Sequence, residues 1–205
     1  MAPDSEWLKK EFSYGYDSGE VRTPEPDEVR RREEEKIGGS YYRIYRELIV
    51  PNVRKDSHVL ELDPGRGSWT RAILDLVPYG EVHTVDFQDV TKWLDPGDYH
   101  GRLVCHQVSE NDYSELPREF FDFFWSFGVL CHNNLADIKT ILKKAKPLLV
   151  KGAVCIHQYA DWEKLDKYGW EKGAIPVEFQ QRVDDEIWWP RNSRAEMAKL
   201  IEEAG

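Results

Sequence analysis

Cysteine is scarce in this chain, with only Cys105, Cys131 and Cys155 among 205 residues. The three are far apart, sit among apolar neighbours and form no C-x-x-C pair. Neither a disulfide framework nor a thiolate metal site is expected, and no metal is. They read as reduced core thiols, which predicts a cytoplasmic protein. Long apolar runs are also lacking. No stretch approaches the roughly 20 residues that span a bilayer, and the opening MAPDSEWLKK carries no apolar signal segment. No membrane partner is expected. Excess positive charge is missing too: 28 Lys and Arg stand against 38 Asp and Glu, a net charge of −10. Polyanions are bound by clustered Lys and Arg, so no nucleic-acid partner is expected either. No internal repeat or low-complexity tract is visible.

What remains is a soluble globular composition, 40% hydrophobic and 32% charged, long enough for one domain with a substantial core. The N-terminal stretch, residues 1–40, reads as an irregular extension and a candidate lid. It holds a short helix at SEWLKKEF, a loop at YGYDSGEVRTPEP and a charged helix at DEVRRREEEKI, whose Arg30–Glu34 and Arg31–Glu35 spacings suit solvent-facing pairs. Gly38-Gly39 breaks that helix. Ser40 can cap the next, YYRIYRELIV, with Ile44, Tyr45, Leu48 and Ile49 on one face and Pro51 closing it.

From Ser57 the pattern is regular. HVLEL, EVHTVDF, RLVCHQV, FDFFWSF and AVCIHQY read as five strands. Trp69, Ala72, Ile73, Leu76 and Val77 recur at helical spacing after the first strand, and Leu135, Ile138, Ile141, Leu142 and Ala145 recur between the fourth and fifth. SRAEMAKLIEEAG is a last helix with Met197, Leu200 and Ile201 inward. Alternating strands and helices predict an α/β, Rossmann-like, doubly wound and mostly parallel sheet flanked by helices.

In such sheets, ligands sit beyond the carboxyl ends of the strands. The first bend there is Asp63-Pro64-Gly65-Arg66-Gly67. Gly65 and Gly67 permit a tight turn and close approach to a ligand. A dinucleotide fingerprint needs a third glycine where Thr70 stands, and a phosphate loop needs Gly-Lys-Ser/Thr; both are absent. Glu61, just before the bend, repels phosphate and attracts a cation.

The stretch Glu61-Leu-Asp-Pro-Gly-Arg-Gly resembles motif I of the class I S-adenosylmethionine-dependent methyltransferases. FDFFWSFGVLCHN resembles motif IV, LLVKGAVCIHQ resembles the entry to the fifth strand, and the order of elements is similar over roughly residues 41–204. The narrower likeness, carried by SFGVLCH and CIHQY, is to bacterial methyltransferases of sugars and other small hydroxylated molecules. The resemblance implies a methyltransferase domain over 41–205 with a substrate-recognition insertion around 161–192. It implies S-adenosyl-L-methionine as cofactor, O-methylation as the reaction and a small acceptor, a sugar among the candidates. The implied cofactor residues are Glu61, Asp63, Gly65, Gly67, Trp69, Asp86, Phe87, Asn111, Asp112 and Ser126, with Asp86 on the ribose hydroxyls and Asn111 and Asp112 near adenine. Two positions depart from the pattern. Asp63 stands in place of the first loop glycine, and Gly128 stands where motif IV often carries an acid.

Transfer to an oxygen needs a base to take its proton. His132 and His157 lie at or past the carboxyl ends of central strands, and His157 is slightly favoured because Gln158 and Tyr159 continue a polar rim. Asp161 is a third candidate. Tyr14, Tyr16, Trp170, Trp188, Trp189 and Arg191 are candidates for an aromatic-walled acceptor pocket, with packing onto the sheet as the competing role. Tyr41 and Tyr42, hinged at Gly38-Gly39, either close over the cofactor or simply follow a helix cap. The resembled fold ends with two further strands that this chain lacks, so the fifth strand is expected to be an open edge and a route to a homo-oligomer. Two other functions stay open: a non-catalytic cofactor-binding module and a nicotinamide-dependent oxidoreductase.

Overall fold

Apolar and β-branched residues dominate the five strand segments, and glycine, proline or asparagine punctuates them. In a computed structural model, which describes residues 10, 12–109, 111–164, 177–183, 187 and 190–204, they form one sheet. The strands are β1 (His58–Leu62), β2 (Glu81–Asp86), β3 (Leu103–Gln107), β4 (Phe121–Ser126) and β5 (Leu149–His157). Their order is β3-β2-β1-β4-β5, and every neighbouring pair is parallel. Leu62 is in register with both Val85 and Ser126, so the carboxyl ends of β1, β2 and β4 share one edge.

Five α-helices that lie wholly among the described residues accompany the sheet. They are α1 (Glu28–Ile37), α2 (Tyr41–Ile44, continued by a π turn over Tyr45–Ile49), α3 (Ser68–Leu76), α4 (Leu135–Ala145) and α5 (Arg194–Ala204). On one face, Tyr41, Tyr45 and Ile49 of α2 and Trp69, Ala72 and Ile73 of α3 pack against Val59, Phe123 and Trp125. On the other, Ile138 and Ile141 of α4 and Met197 and Leu200 of α5 pack against Leu60, Leu62 and Phe124. Burial of apolar surface on both faces explains why β1 and β4 are almost wholly buried. β5 has no fully buried residue, as an edge strand should. The two final strands of the resembled fold have no counterpart among the described residues.

The structure corrects several expectations. Arg30 does not face solvent. It is 0% exposed, and its guanidinium donates to the carbonyls of Glu20, Thr23 and Pro24, pinning the preceding loop to α1. Leu48 is 41% exposed, because the π turn bonds the Val50 N–H to the Tyr45 carbonyl. That wider turn sets the inward face at Tyr41, Tyr45 and Ile49. Ile201 is also outside, at 56% exposure. Cys155 is exposed on β5 rather than in the core, while Cys131 is buried. The SEWLKKEF helix lies almost entirely outside the described residues.

Candidate functional site

β1 runs out at Leu62, and the chain turns. The Asp63 N–H still donates to the Val85 carbonyl at 2.8 Å, extending the ladder by one residue and setting Asp63 beside Asp86. Asp63 has φ 47°, Gly65 φ 56° and Gly67 φ 81°. Three left-handed residues in five bring the chain round to the N-terminus of α3.

The two glycines are enclosed by the protein itself. A Cβ on Gly65 would come within 2.3 Å of the Tyr16 carbonyl oxygen, and one on Gly67 within 2.2 Å of Leu94 Cδ2. The segment Phe12–Ser18 forms a strap across the loop. The Arg66 N–H donates to the Tyr16 carbonyl at 2.8 Å, and Arg66 Nε donates to the Tyr14 carbonyl at 3.0 Å. Ser68 Oγ donates to Asp17 Oδ1 at 2.9 Å, and Trp69 Nε1 to Ser18 Oγ at 3.0 Å. Gln88 Nε2 reaches the Phe12 carbonyl at 3.1 Å, and the Phe12 ring lies 5.1 Å from that of His132. The strap thus bridges the ends of β1, β2 and β4.

Four of the expected cofactor residues meet at this edge. The Asp63 side chain is half-buried and accepts no hydrogen bond from a described residue; burial and the facing Asp86 hold its carboxyl well above the usual range. Asp86 is buried, and its Oδ1 accepts the Gln88 N–H at 2.7 Å. Burial raises its pKa to about 6 against the N–H groups of Gln88 and Phe87 and the charge of Lys92, which pull it down. Phe87 follows it, half-buried. Asn111, at φ 56°, accepts the Tyr113 hydroxyl at 3.1 Å, and the Tyr113 hydroxyl is influenced by Asp63. Tyr113 and Gln88 were not among the sequence candidates; nothing but their distance from a strand end marks them.

Other expected cofactor residues point elsewhere. Glu61 is 1% exposed and turns beneath the loop, where Thr70 Oγ1 donates to it at 2.6 Å; burial raises its pKa to about 7. It braces α3 against β1 from inside. Trp69 is 3% exposed in the apolar cluster with Tyr41, Trp125 and Phe127, so it is core and not cleft. Asp112 is exposed and its carboxylate accepts the Ser114 N–H at 3.0 Å. Ser126 is fully buried and pairs with His157 Nδ1 at 2.8 Å.

The three expected bases have separate surroundings. His157 stands edge-on to Phe124 at 4.5 Å; its Nε2 is buried without a hydrogen-bond partner among the described residues, and burial lowers its pKa to about 4. His132 ends a short 3-10 turn, Leu130–His132, facing the strap. Asp161 is partly buried, with one buried carboxylate oxygen that accepts no hydrogen bond from a described residue.

The acceptor candidates divide likewise. Arg191 donates to the carbonyls of Phe179, Gln180 and Arg182 and lies 4.6 Å from the Trp162 ring, a structural staple. Tyr41 is core, but its hydroxyl meets that of Tyr16 at 2.9 Å and so anchors the strap. Gly38 is the left-handed cap of α1, the plainer of the two roles considered. Tyr14 is exposed, and Trp170, Trp188 and Trp189 lie outside the described residues. A cavity of about 470 Å³ lined by Arg54, His58, Phe120, Asp122, Lys151 and Val154 opens at the opposite end of the strands, away from these groups.

No protein-family model matches the sequence, and no curated protein matches it. Solved structures do. The PH0226 protein of Pyrococcus horikoshii OT3 aligns over 98% of this chain and 89% of its own, with TM-score 0.60 and 13% identity. A SAM-dependent methyltransferase from Aquifex aeolicus aligns over 88% and 89%, with TM-score 0.59 and 17% identity. An O-methyltransferase of neocarzinostatin biosynthesis, solved with S-adenosylmethionine and 2-hydroxy-5-methyl naphthoic acid, aligns over 73% of this chain and 43% of its own, with TM-score 0.52 and 18% identity. At such identities the likeness is one of architecture. Sheet order, strand direction and these neighbours together show that the chain has the Rossmann-like fold of the class I S-adenosylmethionine-dependent methyltransferases.

Proposed function

We propose that the protein is an S-adenosylmethionine-dependent methyltransferase that methylates an oxygen of a small hydroxylated acceptor, a sugar or glycosylated metabolite. The observation that carries this reading is the Asp63–Asp86 pair at the ends of β1 and β2. Two carboxyls side by side, short of donors, suit a ligand that brings hydroxyls and positive charge. They repel a pyrophosphate, and the chain offers no phosphate loop.

The cofactor, when bound, supplies an electrophilic methyl on a positively charged sulfur. Asp86 Oδ2 is the acceptor for ribose hydroxyls, because Oδ1 is committed to the Gln88 N–H. Asn111 and Phe87 frame the adenine side of the same edge. Glu61 touches nothing in the cleft and acts by holding the loop through Thr70. The strap covers the edge, so ligand entry requires it to lift and its return excludes water. Holding the acceptor oxygen in line with the methyl is the main catalytic contribution. The part left to the chain would be to take the acceptor's proton with a base at this edge.

Of the candidate bases, His132 fits that task better than His157. His132 faces the strap at the end of β4, whereas His157 is sealed beside Phe124 and is too weak a base for neutral pH. Asp161 is the alternative base. No helix among the described residues is long and apolar enough to cross a membrane, which fits a cytoplasmic enzyme, as do three free thiols. The half-exposed β5 is where a second copy of the chain would pair.

The test is methyl transfer from tritiated S-adenosylmethionine to a panel of sugars, glycosides and phenols. Incorporation that falls in His132→Ala supports the reading. Cofactor binding without turnover on any of them supports a binding module instead.

A further inference from the structure

At Asp63 the backbone conformation is one that side chains resist. Its φ of 47° lies in the left-handed region, which glycine enters freely and aspartate only at a cost. Its N–H is tied to the Val85 carbonyl at 2.8 Å, so the residue cannot swing away from Asp86. The residue is partly exposed, and its carboxyl accepts no hydrogen bond from a described residue. Few charged or titratable groups face the pair. Of the two carboxyls only Asp86 is influenced by Lys92, which also acts on Asp89, and the Tyr113 hydroxyl, engaged with Asn111, is the neighbour on the Asp63 side. A second carboxyl in a strained conformation beside a first one weakens the fold. A cationic ligand beside the pair favours the ionised form of the raised Asp63 carboxyl, so binding of the cation and ionisation of Asp63 go together.

We infer that Asp63 makes the cleft charge-selective, so that it holds the sulfonium of S-adenosylmethionine in preference to the neutral thioether of S-adenosylhomocysteine. The inference rests on the function proposed above and assigns Asp63 a role that its neighbour Asp86 does not have. The two molecules share adenosine, ammonium and carboxylate groups. They differ by one methyl and one positive charge, so the ratio of their affinities isolates the charge. Attraction between Asp63 and the sulfur lasts only until the methyl leaves. Once sulfur takes back the electron pair it is neutral, and the carboxylate releases the product that it held as substrate. Asp63 is then a specificity residue that limits product inhibition, and it takes no part in breaking or forming bonds.

Calorimetric titration of the intact chain, Asp63→Asn and Asp63→Gly with both ligands at neutral pH tests this. The native chain is expected to bind S-adenosylmethionine about tenfold more tightly than S-adenosylhomocysteine, the size of a unit-charge attraction across a partly wet cleft. In Asp63→Asn, nearly the same shape without the charge, the ratio should fall towards one. Asp63→Gly should lose the preference as well while gaining stability, because it removes the strained φ; its retained fold separates lost selectivity from lost structure. Binding of both ligands with a ratio that Asp63→Asn leaves unchanged overturns the inference and leaves the methyltransferase reading standing. No heat from either ligand in folded native protein overturns both.

Discussion

The Tyr16 carbonyl accepts the Arg66 N–H at 2.8 Å, and a Cβ added at Gly65 would come within 2.3 Å of that same oxygen. Strap and loop are therefore built as one unit. The close approach explains Gly65 without a ligand, and it lays the N-terminal segment beside the Asp63–Asp86 edge.

Gly65→Ala should separate them. The new Cβ meets a backbone oxygen and the residue must hold φ 56°, so a loss of about 1–3 kcal/mol is expected. Denaturant unfolding measures it. Hydrogen exchange should quicken across residues 12–18, and unchanged exchange there would mean that the strap is held by its other contacts.

Glu61 makes stability depend on pH in a stated direction. Its folded pKa, about 7, lies above the ordinary 4.5, so the folded state holds its proton more tightly. The stabilisation is complete below 4.5 and disappears as pH rises through about 7. Asp86, raised from 3.8 to about 6, acts in the same sense. Urea unfolding of Glu61→Gln should show a smaller fall in stability across that window. Thr70→Val should cost about 1–3 kcal/mol by removing the donor from a buried carboxyl.

His157 works in the opposite sense. Its folded pKa, about 4, lies below the ordinary 6.5, so its contribution is complete above 6.5 and lost as pH falls through about 4. Its ring should stay neutral in an NMR titration well below pH 6.5. Replacing it should lower stability without moving the pH dependence of methyl transfer, whereas His132→Ala should cut kcat by about a hundredfold or more.

Asp86→Asn keeps the Gln88 bond within reach but removes the charged acceptor. Affinity for S-adenosylmethionine should fall by about ten- to a hundredfold, the range of a hydrogen bond to a charged group. Titration calorimetry reads this directly, and an unchanged affinity would place the ribose elsewhere.

Thiol accessibility checks the core. Cys155 is exposed and should react first with a disulfide reagent. Cys131, buried with its thiol pushed up to about 12, should react only on unfolding.

The strands and the helices α3 and α4 were legible because burial on one side imposes a period, as Ala72, Ile73, Ile138, Ile141 and Ala145 show. The line of acids at the strand ends was legible for the same reason: Asp63 follows directly on β1, and Asp86 is the last residue of β2. What stayed hidden depends on contacts distant in sequence. Arg30 looks like half of a surface pair, yet three carbonyls of the loop ahead of it draw it inward. Trp69 lies in the first turn of a helix beside the loop that follows β1, yet Tyr41 and Phe127 claim its ring. The π turn in α2 shifts a face by a step that a 3.6-residue period does not contain. The strap is irregular chain, held by scattered bonds to Arg66, Ser68, Trp69 and Gln88 that no periodicity encodes.

Titration of the folded chain with S-adenosylmethionine bears most directly on what this edge binds. A saturable heat at one site per chain, weakened in Asp86→Asn, is the expected result. Absence of heat in protein whose circular dichroism is native, or a saturable response to NADH instead, would contradict it.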